Sequence, residues 1–248
     1  KPSGTTDNEL LIICLDKGST AATVNAHADW TELLDENSAN GLYIAYRWAT
    51  ASDPATWTLV TSASTRDAHV IYRISGAINP ATQAPEIGTT SSGSSTTPDP
   101  PTSVTPASSK DYLFITFCGS AGEQADDETY VTTFPTDYSY TTNEKTCGVA
   151  GTNLGGLIGA ASRQLTTGAA QNPGTFTVSE NNGWRAQTIM VHPVATVTTT
   201  KTTTGLARIQ KSVTQTTTGK ARITVTTTQT TTGKGRVQVT APVKNQSA

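Results

Sequence analysis

The C-terminal segment repeats itself, and that repetition limits what the chain can fold into more than any other feature. KTTTGLARIQKSVT (201–214), QTTTGKARITVTTT (215–228) and QTTTGKGRVQVTAP (229–242) align without a gap at a period of 14. Gly205, Gly219 and Gly233 fall in register, as do Arg208, Arg222 and Arg236, and then Ile209, Ile223 and Val237. A fixed period means one structural unit used several times, and such a unit buries its apolar face only against a neighbour. On an extended strand Gly219, Ala221, Ile223 and Val225 share one face, and Lys220, Arg222 and Thr224 share the other. Thr favours β structure, so each repeat predicts a strand of roughly seven to ten residues. The TTTG tetrad is read as its turn or bulge, because Gly tolerates positive φ.

Charge divides the chain at the same place. Residues 1–194 hold nine Lys/Arg against all nineteen Asp/Glu, a net of −10, whereas residues 195–248 hold eight Lys/Arg and no acid, a net of +8. A basic appendage on an acidic body suits docking onto an anionic partner, including the body of another copy. It also serves plain solubility, since Lys and Arg blunt sheet edges. The predicted assembly residues are Lys201, Arg208, Ile209, Lys220, Arg222, Ile223, Lys234, Arg236 and Val237. The densest acidic cluster, Asp126, Asp127 and Glu128, is the candidate receiver.

Residues 1–194 read as one β-rich domain. The apolar run Glu9–Leu15 suits a central strand, and Trp30–Leu34 suits a short one. Gly41–Thr50 alternates, with Leu42, Ile44, Tyr46 and Trp48 on one face and Tyr43, Ala45 and Arg47 on the other. Thr56–Thr61 keeps the same period and predicts a strand. Arg66–Ser75 does too, with Ala68, Val70, Tyr72 and Ile74 facing one way. Asp111–Gly119 and Trp184–His192 are the later strands. Before them, the Pro/Ser/Thr-rich stretch 76–109 predicts a surface crossover rather than a linker. AYRWATASDPATWTLV (45–60) is echoed by ASRQLTTGAAQNPGTFTV (161–178), and two strand-like runs carry Cys14 and Cys118. Two loosely similar halves predict two packed sheets: an all-β, jelly-roll-like two-sheet sandwich over 1–194, followed by a β-strand repeat arm over 195–248.

No catalytic constellation stands out. His27, His69 and His192 are the only histidines, read as exposed or capping, and no G-x-S-x-G elbow accompanies them. The Asp126–Glu128 loop lacks the spacing of a calcium loop. Thr-Gly-Lys at 218–220 and 232–234 fails the phosphate-loop frame. Basic residues without interleaved aromatics argue against a nucleic-acid reader. Trp48, Trp57 and Trp184 are assigned to strands and to core packing, with Trp30 beside them in the inventory for sugar stacking. Three cysteines (Cys14, Cys118 and Cys147) do not make a disulfide framework, and the first two are read as small buried hydrophobes. The longest apolar run, Leu10–Leu15, has six residues against the roughly 20 of a membrane-spanning helix. No signal-peptide pattern opens the sequence, which begins on Lys1 as though its true start lay elsewhere.

The series ELLIICLDKGS, AYRWATASDPATWTLVTSAS, HVIYRISG, TPDPPTSVTP, DYLFITFCGS and NPGTFTVSENNGWRAQTIMVHP resembles a β-sandwich module of tailed-bacteriophage structural proteins and related environmental surface proteins, over most of 1–193. The TTTGKARI-type array resembles short repeats that trail such modules. The resemblance transfers no catalytic residues. It implies a structural role on a virion or cell surface, as capsid decoration, tail fibre or filament subunit. The expectation is therefore a non-enzymatic structural protein without cofactor, assembling with copies of itself or with other virion or surface proteins. The competing expectation is a carbohydrate-binding or adhesin module on a repeat stalk.

Overall fold

The computed structural model describes residues 1–18, 21–65, 67–122, 131–139 and 155–194, together with three strands of the C-terminal segment, 199–204, 209–218 and 222–231. The chain divides into two compact units, 1–194 and 195–248. The described residues hold β-strands and no helix.

In the first unit the strands run β1 (Leu10–Asp16), β2 (Thr31–Asp35), β3 (Leu42–Trp48), β4 (Ala68–Ile74), β5 (Glu86–Ile87), β6 (Ser91–Ser95), β7 (Lys110–Gly122), β8 (Val131–Thr133), β9 (Gly155–Thr167), β10 (Thr177–Val178) and β11 (Asn182–Val191). Two antiparallel sheets dominate. One has the order β2-β3-β1-β4; the other runs β9-β7-β11, with β5 and β6 end to end along the outer edge of β11. The all-β sandwich expected from the sequence is present. The chain completes the first sheet before it enters the second.

The two sheets share one plan. In each, the first long strand is central and the next two long strands flank it, β3 and β4 around β1, β9 and β11 around β7. Alternation places Leu10, Ile12, Cys14, Leu42, Ile44, Ala68 and Ile74 in the layer between the sheets, opposite Ile115, Phe117, Ile158, Ala160, Ile189 and Val191. Tyr46, Trp48, Val70 and Tyr72 pack against the same layer, so the faces read from β3 and β4 hold.

The opposite face of each sheet is also covered, which explains why LLIICLD is buried at every residue instead of alternating. On the first sheet, Leu11, Ile13, Leu15, Tyr43 and Ala45 pack under Val24, Trp30, Trp57 and Leu59. On the second, Tyr112, Phe114, Cys118 and Met190 pack with Tyr138, Phe176 and partly buried Phe134. The echoed pieces TWTLV and TFTV thus lie in matching places, each between the second and third long strands and each over an outer face. The two cysteines do not match: Cys14 faces between the sheets, whereas Cys118 faces outward beneath the cover. Both are free, buried thiols, pushed well up from their ordinary value by desolvation.

Three elements differ from the sequence expectations. Residues 56–61 form no strand; apart from one bridge between Thr61 and Val24, they run as an extended cover segment. Their period of two is real but places Trp57 and Leu59 against the sheet rather than in a ladder. The crossover 76–109 contributes β5 and β6, the second composed of SSGSS. Strand β9, GGLIGAASRQLTT, carries too many small and polar residues to announce itself.

The second unit is a three-stranded antiparallel sheet, β12 (Thr199–Thr204), β13 (Ile209–Thr218) and β14 (Arg222–Thr231), in that order. Strands of six, ten and ten residues fit the 14-residue period. Thr202–Thr204 and Thr216–Thr218 lie in strands instead of turns, because Thr suits the ladder. Gly219, Lys220 and Ala221, between the last two strands, lie outside the described residues.

Candidate functional site

Of the predicted assembly residues, Lys201 lies in β12, Ile209 opens β13, and Arg222 and Ile223 open β14. The ladder pairs Lys201 with Val213, Ile209 with Thr231, Arg222 with Thr218 and Ile223 with Thr217. Arg208, Lys220, Lys234, Arg236 and Val237 lie outside the described residues, as do Asp126, Asp127, Glu128 and Cys147.

The histidines separate by environment. The Nδ1 of His27 accepts the Asp29 backbone N–H at 3.1 Å, a local cap. His69 is exposed on β4. His192 is not exposed, contrary to expectation: only 4% of its surface is accessible, its Nε2 lies 2.6 Å from Glu86 Oε1, and its ring meets Tyr112 edge to face. The Pro193 bridge to Ala77 and the crossover strand β5 enclose it, contacts that follow from the topology rather than from local sequence.

None of the four tryptophans is an exposed platform. Trp30 and Trp184 are buried, and Trp48 and Trp57 are half-buried. Trp184 donates to Ser95 Oγ at 3.0 Å, and Trp48 donates to Asn8 Oδ1 at 3.3 Å. Trp30 and Trp57 behave differently. They meet edge to face with ring centroids 5.3 Å apart, and neither indole N–H has a hydrogen-bond partner.

Those two rings wall a depression of about 300 Å³ on the outer face of the first sheet. Its floor comes from one face of two strands, Ile13 and Leu15 on β1 and His69 and Ile71 on β4, as a period of two requires. Its wall is the cover segment with Trp57, Leu59 and Thr61. The segment is strapped to the preceding loop: Asn25 donates to the Val60 carbonyl at 2.7 Å, and Ser62 donates to the Thr23 carbonyl at 2.8 Å. Asp35 Oδ2 accepts the Val24 N–H at 2.7 Å and anchors that loop to β2.

Charge holds the Trp57 wall in place. The Arg47 guanidinium sits 5.7 Å from the Trp57 ring centre, a cation–π distance. Arg47 is itself clamped by both carboxylate oxygens of Asp53 and by the Asp29 carbonyl at 2.7 Å. The Asp53 side chain is fully buried, and the Arg47 hydrogen bonds hold its carboxyl well below the usual carboxylate range. Beside the depression, Asp67 Oδ1 is a third buried polar atom without a partner. Sequence reading missed this site. Trp57, Leu59 and the parity of His69 were visible, but nothing local joined Asp67 to Trp30.

Among the described residues no cluster of His, Cys, Asp and Glu could hold a metal ion, and no helix is long and apolar enough to cross a membrane. No protein-family model matches the chain, and neither a curated protein nor a solved structure is detectably similar to it.

Proposed function

We propose that this chain is a non-enzymatic structural protein of a virion or cell surface, whose acidic β-sandwich assembles with other copies through the basic repeat arm. The observation that carries the reading is the arm's sheet. It is built from 14-residue repeats without an acidic residue, and β12 and β14 each have one partner among the described strands. A strand paired on one side presents backbone N–H and C=O groups that a further strand completes. A three-stranded ribbon is marginal in water without an apolar face to bury, so pairing with another copy supplies what the repeats lack. The opposite net charges of the two regions, −10 and +8, steer such an encounter and oppose contact between like surfaces. Copies of the chain, and other virion or surface proteins, are the partners in this reading, and no cofactor takes part.

Light scattering after size-exclusion chromatography tests it. The full chain is expected to form multimers that weaken as salt rises above about 0.15 M, where screening shortens to about 8 Å. The double variant K201E/R222E, and the shortened chain 1–194, are expected to run as folded monomers. Multimers of unchanged size in both would refute the proposal.

A further inference from the structure

Sheet edges are kept from pairing by charged side chains, bulges, brevity or a covering segment, and most edges of the sandwich carry such a device. β2 has a bulge between Glu32 and Leu34 and exposes Glu32. β4 exposes His69 and Arg73. On β9, Ser162 is bridged by Ser139, and the Leu157 amide is taken by Asp16. β5, β8 and β10 have two or three residues each. β6 differs from all of these. It is SSGSS in unbroken register with β11, its Ser92, Gly93 and Ser94 are exposed, and no described strand pairs with its other side. That side presents main-chain N–H and C=O groups to a further strand. Resting on the assembly reading above, we infer that β6 is the receiver on the body: the outer strand of a second copy's arm adds to this edge.

The edge is held in strand geometry before any partner arrives. β11 pins it at either end: Gln187 Nε2 donates to Thr90 Oγ1 at 3.3 Å, and Trp184 Nε1 donates to Ser95 Oγ at 3.0 Å. Between them the Trp184 indole fills the space over Gly93 on one face. An edge fixed in this way loses little conformational entropy when a strand is added.

Charge and side-chain type select the arm as occupant. From Ile87 to Pro98 the chain holds no charged residue, and the nearest charges on either side are the acids Glu86 and Asp99. Arg185, opposite Ser92 in the ladder, is paired with Glu36 at 3.9 Å. The arm holds eight Lys/Arg and no acid, so its strand meets no like charge along β6 and an acid beyond each end. Its Thr-rich strands set Thr against Ser across the new ladder, a favourable cross-strand pair. A second β6 is the rival occupant, because TTSSGSSTT, residues 89–97, reads the same in both directions. That pairing brings together two bodies of −10 each, whereas the arm brings +8 to −10. The receiver is thus a neutral edge framed by acids.

The test uses the full chain, with light scattering after size-exclusion chromatography and hydrogen exchange read by mass spectrometry. S92K/S94K places lysines at two exposed positions, where they blunt the edge and repel a basic strand. It is expected to keep the far-UV circular dichroism of the parent and to lose the multimer. S92T/S94T keeps the hydroxyls and is expected to assemble as the parent does. So is Thr31→Lys, at an exposed position on the β2 edge. Residues 89–97 are expected to exchange more slowly in the parent multimer than in K201E/R222E, a comparison that does not depend on the lysine variant folding. Multimers that persist in S92K/S94K while K201E/R222E is monomeric overturn this inference and leave the assembly reading standing, as does equal exchange at 89–97. Multimers lost in S92K/S94K but kept in K201E/R222E overturn it in favour of β6 pairing with β6. A full chain that is monomeric throughout overturns both.

Discussion

Asp16 and Leu157 are joined across the sandwich: the Leu157 backbone N–H donates to Asp16 Oδ2 at 3.1 Å, tying the end of β1 in one sheet to β9 in the other. Strand β9 is the edge of its sheet, so this amide has no ladder partner on that side, and the carboxylate supplies one. Asp16 is fully buried. Gly119 makes the room, because a Cβ there would meet Asp16 Oδ1 at 2.8 Å and Leu42 Cδ2 at 2.7 Å. Next to it Lys17, also inaccessible, donates to Asp35 Oδ1 and to the Glu36 carbonyl, each at 2.5 Å. A polar seam thus closes one end of the apolar layer.

The seam predicts an unusual pH dependence. Burial pushes the Asp16 carboxyl well above its ordinary value, against the N–H groups of Gly18 and Leu157, which pull it down. With the folded value above the unfolded one, near 3.9, the native state holds its proton longer. Stability contributed by protonated Asp16 is therefore full below about pH 4 and is lost as pH rises toward the folded value. Asp16→Asn keeps the acceptor for Leu157 and removes the titration. Denaturant unfolding between pH 4 and 8 should show a flatter profile for the variant and about 1 kcal/mol more stability at pH 7. Parallel profiles would show that Asp16 does not titrate in this range.

Asp53 predicts the opposite sign. Its carboxyl is held below the ordinary range by Arg47, so it contributes stability above about pH 4 that is lost as pH falls further. Asp53→Asn should remove that acid-side loss, and Asp53→Ala should cost about 3 kcal/mol at pH 7 by leaving Arg47 with Asp29 alone. Because Arg47 also steadies Trp57, tryptophan emission should shift in Asp53→Ala under native conditions. Unchanged emission would separate the clamp from the depression.

The sequence made the alternating strands legible and left the covering layers obscure. In β3 and β4 one face of each strand is apolar enough to announce its orientation, and the inter-sheet layer follows from it. Strand β9 packs through Gly159 and Ala161, where hydrophobicity is low because space is short: a Cβ on Gly159 would come within 2.8 Å of Cys118 Sγ and of Val131 Cγ2. Strand β6 is entirely Ser and Gly, and its pairing to β11 is set by the partner's register rather than by its own pattern. The depression was hidden for another reason. Trp30, Trp57 and Asp67 come from separate segments and meet only through long-range packing, while local patterning speaks to one element at a time.

Strand β6 supplies the last prediction. Gly93 pairs with Trp184 across the ladder, and the indole lies flat over the space a side chain would fill. A Cβ there would approach Trp184 Cζ2 to 2.6 Å and Cε2 to 2.9 Å, closer than such contacts allow. The ring cannot yield cheaply, because its N–H is committed to Ser95 Oγ at 3.0 Å, two residues along the same strand. Gly93→Ala should therefore cost about 1–3 kcal/mol by overpacking, with the near-UV circular dichroism of Trp184 altered. Gly88→Ala is the matched control: its Cβ would find only the Thr102 carbonyl, at 3.6 Å, an ordinary contact. It should stay within about 0.5 kcal/mol of the parent. Equal losses in the two variants would mean that chain flexibility, not the indole, makes glycine necessary on this edge.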